Sequence, residues 1–314
     1  MHSSPGFSPM VSAKGTRGGV MKKIFLLVFI FFVSSASLSF ALEWKSIHEE
    51  ADKMNLAAAL EGVKERPESV NDLYRLGLVY LNLHKDKEAR ETFDRILAIE
   101  PKTIEAKWGK AEVLRREHDI KKSQEFINEV IKENPLFAPA YITLAYLKYR
   151  QMDFNEAVRL ANEVLKMGED KVDQSNHVRA HLILAGAKGM IAHYGGPFSK
   201  AINGTSVMPN LKRAQKMQPD SAGVAFGLGS FYLLAPGFAG GNLNKAEEYL
   251  KKAITLDPLF ADAYVRLGQL YKIKGDNVKY KDYLNKALEI DPQNELALDI
   301  KSGQCKFICT AGEN

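Results

Sequence analysis

Residues 258–292 read PLFADAYVRLGQLYKIKGDNVKYKDYLNKALEIDP, and the two prolines that bracket this stretch decide the fold. They stand 34 residues apart, the interval that also separates Pro67, Pro101 and Pro135, while Pro219 lies 39 residues before Pro258. A fixed period of this length marks a repeat architecture, in which each period is one supersecondary unit stacked on the next. Proline stops a helix because it pushes the residue before it out of the helical region. Asn134, Asp257 and Asp291 precede three of these prolines and favour a turn at the same place.

The residues between the prolines recur at matching offsets. Leu76, Gly77, Tyr80, Ala89 and Phe93 come before Pro101; Tyr264, Leu267, Gly268, Tyr271, Leu284 and Ala287 come before Pro292. Small residues let two helix axes approach closely, and the tyrosines fill the space between neighbouring helices. This order of aromatic, Leu-Gly, Tyr, Ala, large apolar residue, Ala and Pro resembles the tetratricopeptide repeat (TPR). The resemblance extends over most of the chain beyond residue 41. It implies an all-α chain, a TPR-type α-solenoid of about six helix-turn-helix units with N- and C-terminal capping helices.

Along the chain, residues 1–20 read as a leader or a mis-assigned start ahead of Met21. Met21-Lys22-Lys23, the apolar run 24–33 and the small residues closing on Ser39-Phe40-Ala41 describe a secretory signal peptide over 21–41, cleaved after Ala41. An uncleaved anchor is the other reading, although the run is short of the ~20 residues of a spanning helix. Either way the expected address is extracytoplasmic, most simply a bacterial periplasm, with the membrane met only through this segment. No cysteine follows the apolar run to tether a lipoprotein.

A helical stretch over 43–65 makes an N-terminal cap (42–69). Three units fill 70–169, the third without its proline. Residues 170–219 form an expanded irregular unit with a long first helix over 174–194 and a second helix interrupted by Asn203-Gly204-Thr205 and Pro209. The step from Pro135 to Pro219 is 84 residues, two periods and 16 more. A unit with a glycine insertion (220–258) and a regular one (259–292) follow, then a capping helix and tail (293–314).

Both irregular units carry a similar phrase, Gly195-Gly196-Pro197-Phe198-Ser199-Lys200-Ala201 and Gly240-Gly241-Asn242-Leu243-Asn244-Lys245-Ala246. Glycine there is expected to end one helix in the left-handed conformation, with Ser199 or Asn242 starting the next. The competing reading is an anion or carbonyl contact at the helix start. No Walker-type lysine spacing accompanies either phrase.

The formal charge of +5 misleads. Residues 1–41 hold Lys14, Arg17, Lys22 and Lys23 and no acid, leaving 39 basic against 38 acidic side chains beyond them. Charge therefore gives a nucleic-acid partner no support. The chain's two cysteines, Cys305 and Cys309, are read as tail thiols or a loose loop closure.

His177 and His181 have the i, i+4 spacing of a two-histidine metal face, but Val178, Arg179 and Ala180 between them supply no glutamate and add a cation. They read as helix-surface histidines, and no metal or cofactor is expected. With no serine elbow, paired carboxylates or activated cysteine, no enzymatic activity and no catalytic residue are expected.

In a TPR stack the first helix of each unit lines the concave groove, so the resemblance places Tyr74, Leu78, Trp108, Glu112, Arg115, Ile142, Tyr146, Tyr149, Phe226 and Leu233 on it. Such an aromatic and apolar surface is covered either by a partner or by the chain's own helices. Family members that hold a chaperone's C-terminal carboxylate use a lysine, asparagine and arginine clamp; Tyr74 occupies the first-unit position, and the clamp is missing.

The leading reading is a non-enzymatic extracytoplasmic scaffold or adaptor in an envelope assembly, binding a protein or peptide partner through this groove. The alternative rests on residues 223–258, where Gly227, Gly229, Tyr232, Pro236, Gly240-Gly241 and Lys245-Ala246 resemble the T-component of tripartite ATP-independent periplasmic (TRAP) transporters. That resemblance implies an accessory that binds a periplasmic solute-binding protein, an apolar small ligand, or both.

Overall fold

The computed structural model describes residues 44–304 and 306–307, all within the compact unit that begins at Trp44. The expected signal segment, and both cysteines, lie outside the described residues. Every regular element described is helical. Helix α1 covers 44–51, followed by α2 (Leu56–Glu65), α3 (Val70–Asn82), α4 (Asp86–Ile99), α5 (Ile104–Arg116), α6 (Ile120–Glu133), α7 (Ala138–Arg150) and α8 (Phe154–Met167). The long α9 (Gln174–Tyr194) leads through α10 (Pro197–Ser199) into α11 (Thr205–Met217); α12 (Ala222–Leu234), α13 (Leu243–Leu256), α14 (Ala261–Ile273), α15 (Asn277–Ile290) and α16 (Glu295–Ser302) complete the stack.

Pairs α3/α4, α5/α6 and α7/α8 are the three regular units. Their close approach is built around Phe93, fully buried between two glycines: a Cβ on Gly77 would come within 2.5 Å of its ring and one on Gly109 within 2.4 Å. Only a hydrogen at both positions admits the ring. The third unit, lacking its proline, ends instead at Gly168, whose φ of 90° reverses the chain.

Each regular turn between first and second helix uses a left-handed residue one position before the N-cap of the second helix: His84, His118 and Met152 in units one to three, Gly275 in the last. Glycine occupies this conformation without steric cost, whereas a side chain costs about 1 kcal/mol. At two of these strained positions the side chain is used. His84 Nε2 meets Asp257 Oδ2 at 3.0 Å and His118 Nε2 meets Asp291 Oδ1 at 3.0 Å, each pair 173 residues apart. Arg150 adds a bond to Glu295 and one to His118 Nδ1 at 3.2 Å. The turn edge of units one to three thus seats on the opposite edge of the last two units and α16. The superhelix closes on itself.

Three expectations need correction. The stretch 43–65 is not one helix: it breaks at 52–55, where Asn55 caps α2 by accepting from Ala58 N, and α1 turns inward. Ser199 starts no helix; Pro197 opens α10, and the chain runs through a wide turn over Lys200–Gly204 before α11. Pro209, inside α11, withholds a backbone donor and crowds the preceding turn, and the wide turn ahead of it absorbs the misfit. Neither Gly195 (φ −85°) nor Gly196 (φ −70°) is left-handed at the end of α9. In the fifth unit Asn242 starts α13 as expected, accepting from Asn244 and Lys245 N–H, while the left-handed Gly240 (φ 102°) closes a short turn over Gly237–Ala239 rather than α12, whose C-cap is Ala235. Finally, His177 and His181 are buried rather than on the surface, and His181 Nδ1 lies 2.9 Å from Asn210 Oδ1.

Candidate partner-binding surfaces

Helix α1 fills the groove of the first three units. Trp44, Ile47, His48 and Ala51 follow i, i+3, i+4, i+7 spacing and form one apolar face, every member at most 6% exposed. Trp44 packs edge-on against Phe137 (5.2 Å between centroids); His48 Nε2 lies 2.7 Å from the Tyr74 hydroxyl, and its ring 5.3 Å from that of Trp108. Burial pushes the His48 imidazole below its ordinary value and the Tyr74 phenol well above its own, so neutral forms meet there. Asp52, just beyond α1, accepts from Asn82 on α3 and Ser175 on α9 and pins the helix in place.

Consequently Tyr74, Leu78, Trp108 and Ile142, expected on a groove covered either by a partner or by the chain's own helices, are 2–6% exposed and packed inside the protein. Trp108 Nε1 donates to Thr143 Oγ1 at 3.0 Å. Burial alone would raise the Glu112 carboxyl, but the Arg115 guanidinium, by charge and by bidentate hydrogen bonds, holds it at about 2. Arg115 in turn lies over the Tyr146 ring at 4.5 Å. Tyr149, its phenol pushed up to about 12 chiefly by burial, stacks on Phe307 (6.1 Å, 17°). Phe226 and Leu233 belong to a separate cluster in the C-terminal half, Phe226 meeting Phe260 at 4.8 Å and Leu233 buried. The ten residues therefore divide among three apolar clusters and the Glu112–Arg115 pair and form no single exposed stripe.

Large apolar side chains do stand in the open where the units are expanded. Phe198 is 79% exposed, Ile202 55% and Phe238 96%. Phe198 and Phe238 follow the C-terminal ends of α9 and α12, the first helices of successive units, so both emerge on the turn edge of the solenoid. In units one to three that edge carries the closing contacts of His84, His118 and Arg150, with Leu83 and Met152 beside them only part-exposed; in units four and five it carries nearly bare aromatic rings. Sequence reading missed both features. The α1 face was signalled by its spacing, and Phe238 by its place in Pro236-Gly237-Phe238-Ala239-Gly240-Gly241, a turn too short to bury a ring.

No group of three or more metal-ligating side chains occurs among the described residues, and none of their helices is long and apolar enough to cross a membrane.

Family models for the tetratricopeptide repeat match residues 238–258 and 261–294, and residues 73–103. The fold is a TPR-type α-solenoid. Among solved structures, the APC/C hetero-tetramer Cut9-Hcn1 is similar at 17% identity and a TM-score of 0.55; the match covers 81% of this chain and 46% of that one. A tetratricopeptide repeat protein from Parabacteroides merdae (17% identity, 82% and 96% coverage, TM-score 0.49) and pilF of Pseudomonas aeruginosa (16%, 76% and 99%, 0.44) are also similar. No protein of curated function matches. These matches are to repeat architectures and give the T-component resemblance no support.

Proposed function

We propose that this chain is a non-enzymatic extracytoplasmic adaptor in an envelope assembly, and that it holds its protein partner on the turn edge of its two expanded units. TPR folds are generally protein-interaction scaffolds. The observation that carries the choice of surface is the contrast between a groove occupied by the chain's own α1 and an edge presenting Phe198, Ile202 and Phe238 to solvent. Exposed rings of this size are uncommon unless something covers them, and aromatic residues supply much of the energy of protein interfaces. The address rests on the sequence of residues 21–41.

Capture from envelope extracts by tagged chain beginning at residue 42 tests this reading. Phe198→Ser with Phe238→Ser should abolish capture of the partner while leaving the helical spectrum intact. Undiminished capture by that variant refutes the assignment of the surface. Recovery of a solute-binding protein would identify the partner as the transport type; recovery of secretion or pilus machinery would identify an assembly factor.

A further inference from the structure

At the far end of the groove a two-residue segment is held in an unusual way. Gly303, left-handed at φ 69°, ends α16 and turns the chain back so that Lys306 and Phe307 lie across the inner face of the stack. Backbone polar groups are ordinarily satisfied by other backbone. Here side chains take all four of them. Asp299 Oδ1 accepts from Lys306 N–H and Oδ2 from Phe307 N–H, both at 2.9 Å; Tyr194 Oη donates to Lys306 C=O at 2.6 Å; Arg266 donates to Phe307 C=O at 3.0 Å.

Tyr194 comes from the distant fourth unit and Arg266 from α14, which packs on α16, and the charged groups are built in. Asp299 and Arg266 are each 6% exposed, and Arg266 is aimed by Gln269, which accepts from it at 2.6 Å and is itself fully buried. The ring of Phe307 stacks on Tyr149 and joins the apolar cluster of Phe154, Ala187 and Met190. The Lys306 side chain points to solvent. A cavity of about 750 Å³ continues from the segment, lined in part by Arg150, Met152, Leu298 and Lys301.

These groups read a turn of backbone, whose two successive N–H groups point to one carboxylate, and one phenyl ring, and they ignore the side chain before the ring. We propose that the seat made by Tyr149, Tyr194, Arg266 and Asp299 is a binding site for a turn-forming, phenylalanine-bearing peptide segment, with the chain's own Lys306-Phe307 as its resident and displaceable occupant. The seat differs from the Phe198/Phe238 edge in its residues, although Tyr194 ends the same helix α9 that Phe198 follows. A tethered occupant so close to its anchor has a high effective concentration, so the seat is open to an external peptide only a small part of the time.

The test uses a fluorescent, end-blocked peptide with the sequence of residues 302–308 carrying serine in place of Cys305. Phe307→Ala protein should bind it about tenfold more tightly than the wild type, because the seat no longer has its own occupant. A peptide with alanine in place of the phenylalanine should bind neither. In the wild-type chain, excess unlabelled peptide should speed hydrogen exchange at the Phe307 amide, a reading that does not depend on how the variant folds. Equal affinity of folded Phe307→Ala and wild-type protein, equal binding of the alanine peptide, or unchanged exchange at Phe307 would each overturn the proposal.

Discussion

Gly109→Ala puts the packing of the repeat to a sharp test, because two known effects oppose each other at this site. Alanine stabilises a helix interior over glycine by about 1 kcal/mol, so on propensity alone the variant should be the more stable protein. The new methyl, however, would lie 2.4–2.6 Å from three carbons of the Phe93 ring, and the ring cannot retreat, since a Cβ-sized approach at Gly77 on its other side is already closed at 2.5 Å. Overpacking of a closed site costs typically 1–3 kcal/mol, occasionally more. With both faces of the ring blocked, the upper end applies, and a net loss of about 2 kcal/mol is expected. Removing the ring reverses the sign: Phe93→Ala should itself cost about 3–5 kcal/mol, and in that background Gly109→Ala should regain up to ~1 kcal/mol. The coupling between the two changes is then about 3 kcal/mol. Urea unfolding followed by tryptophan fluorescence reads this block directly, since Trp108 adjoins Gly109. Stabilisation by Gly109→Ala in the wild type, or the same effect in both backgrounds, would refute the reasoning.

Three further outcomes follow from groups already described. The Glu112 carboxyl sits below its ordinary 4.5, at about 2, so its contribution of up to about 3 kcal/mol is complete above pH ~4.5, declines as pH falls and is gone below pH ~2; urea midpoints measured across that window should fall more steeply for the wild type than for Glu112→Gln. Asp257→Ala together with Asp291→Ala removes the two histidine contacts of the closing seam, which being partly exposed contribute under ~1 kcal/mol each; the radius of gyration from small-angle scattering should rise with helicity unchanged, and an unchanged radius would mean that other contacts close the superhelix. Trp44→Ala should cost about 3–5 kcal/mol and open the groove to an apolar dye such as ANS, whereas a variant that binds no more dye than the wild type would show that α1 does not seal it.

The proline ladder and the Leu-Gly-Tyr spacing are local signals, and they located the helix pairs well: α9 occupies the expected 174–194, and the third unit survives without its proline because Gly168 turns the chain instead. What the repeat pattern leaves out is curvature. A groove position assigned from the pattern is open only if the superhelix is wide and empty, and neither condition is written in any one unit. Tyr74 and Trp108, read from the pattern onto the inner faces of α3 and α5, meet His48, which lies ahead of the first repeat. His84 and Asp257 are 173 residues apart and belong to turns of different kinds, one within a unit and one between units; only the accumulated rotation of the intervening units brings them together. His177 and His181 read as surface residues because their burial depends on α11, whose course is set by an irregular turn.

Site-specific photocrosslinking tests the functional account most directly. A benzoylphenylalanine probe placed at Phe238, and separately at the half-buried groove residue Tyr146, would be activated in envelope-bearing cells expressing the full chain. The account predicts a discrete protein adduct from position 238 and none from position 146. An adduct from 146 with none from 238 would place the partner in the groove and contradict it.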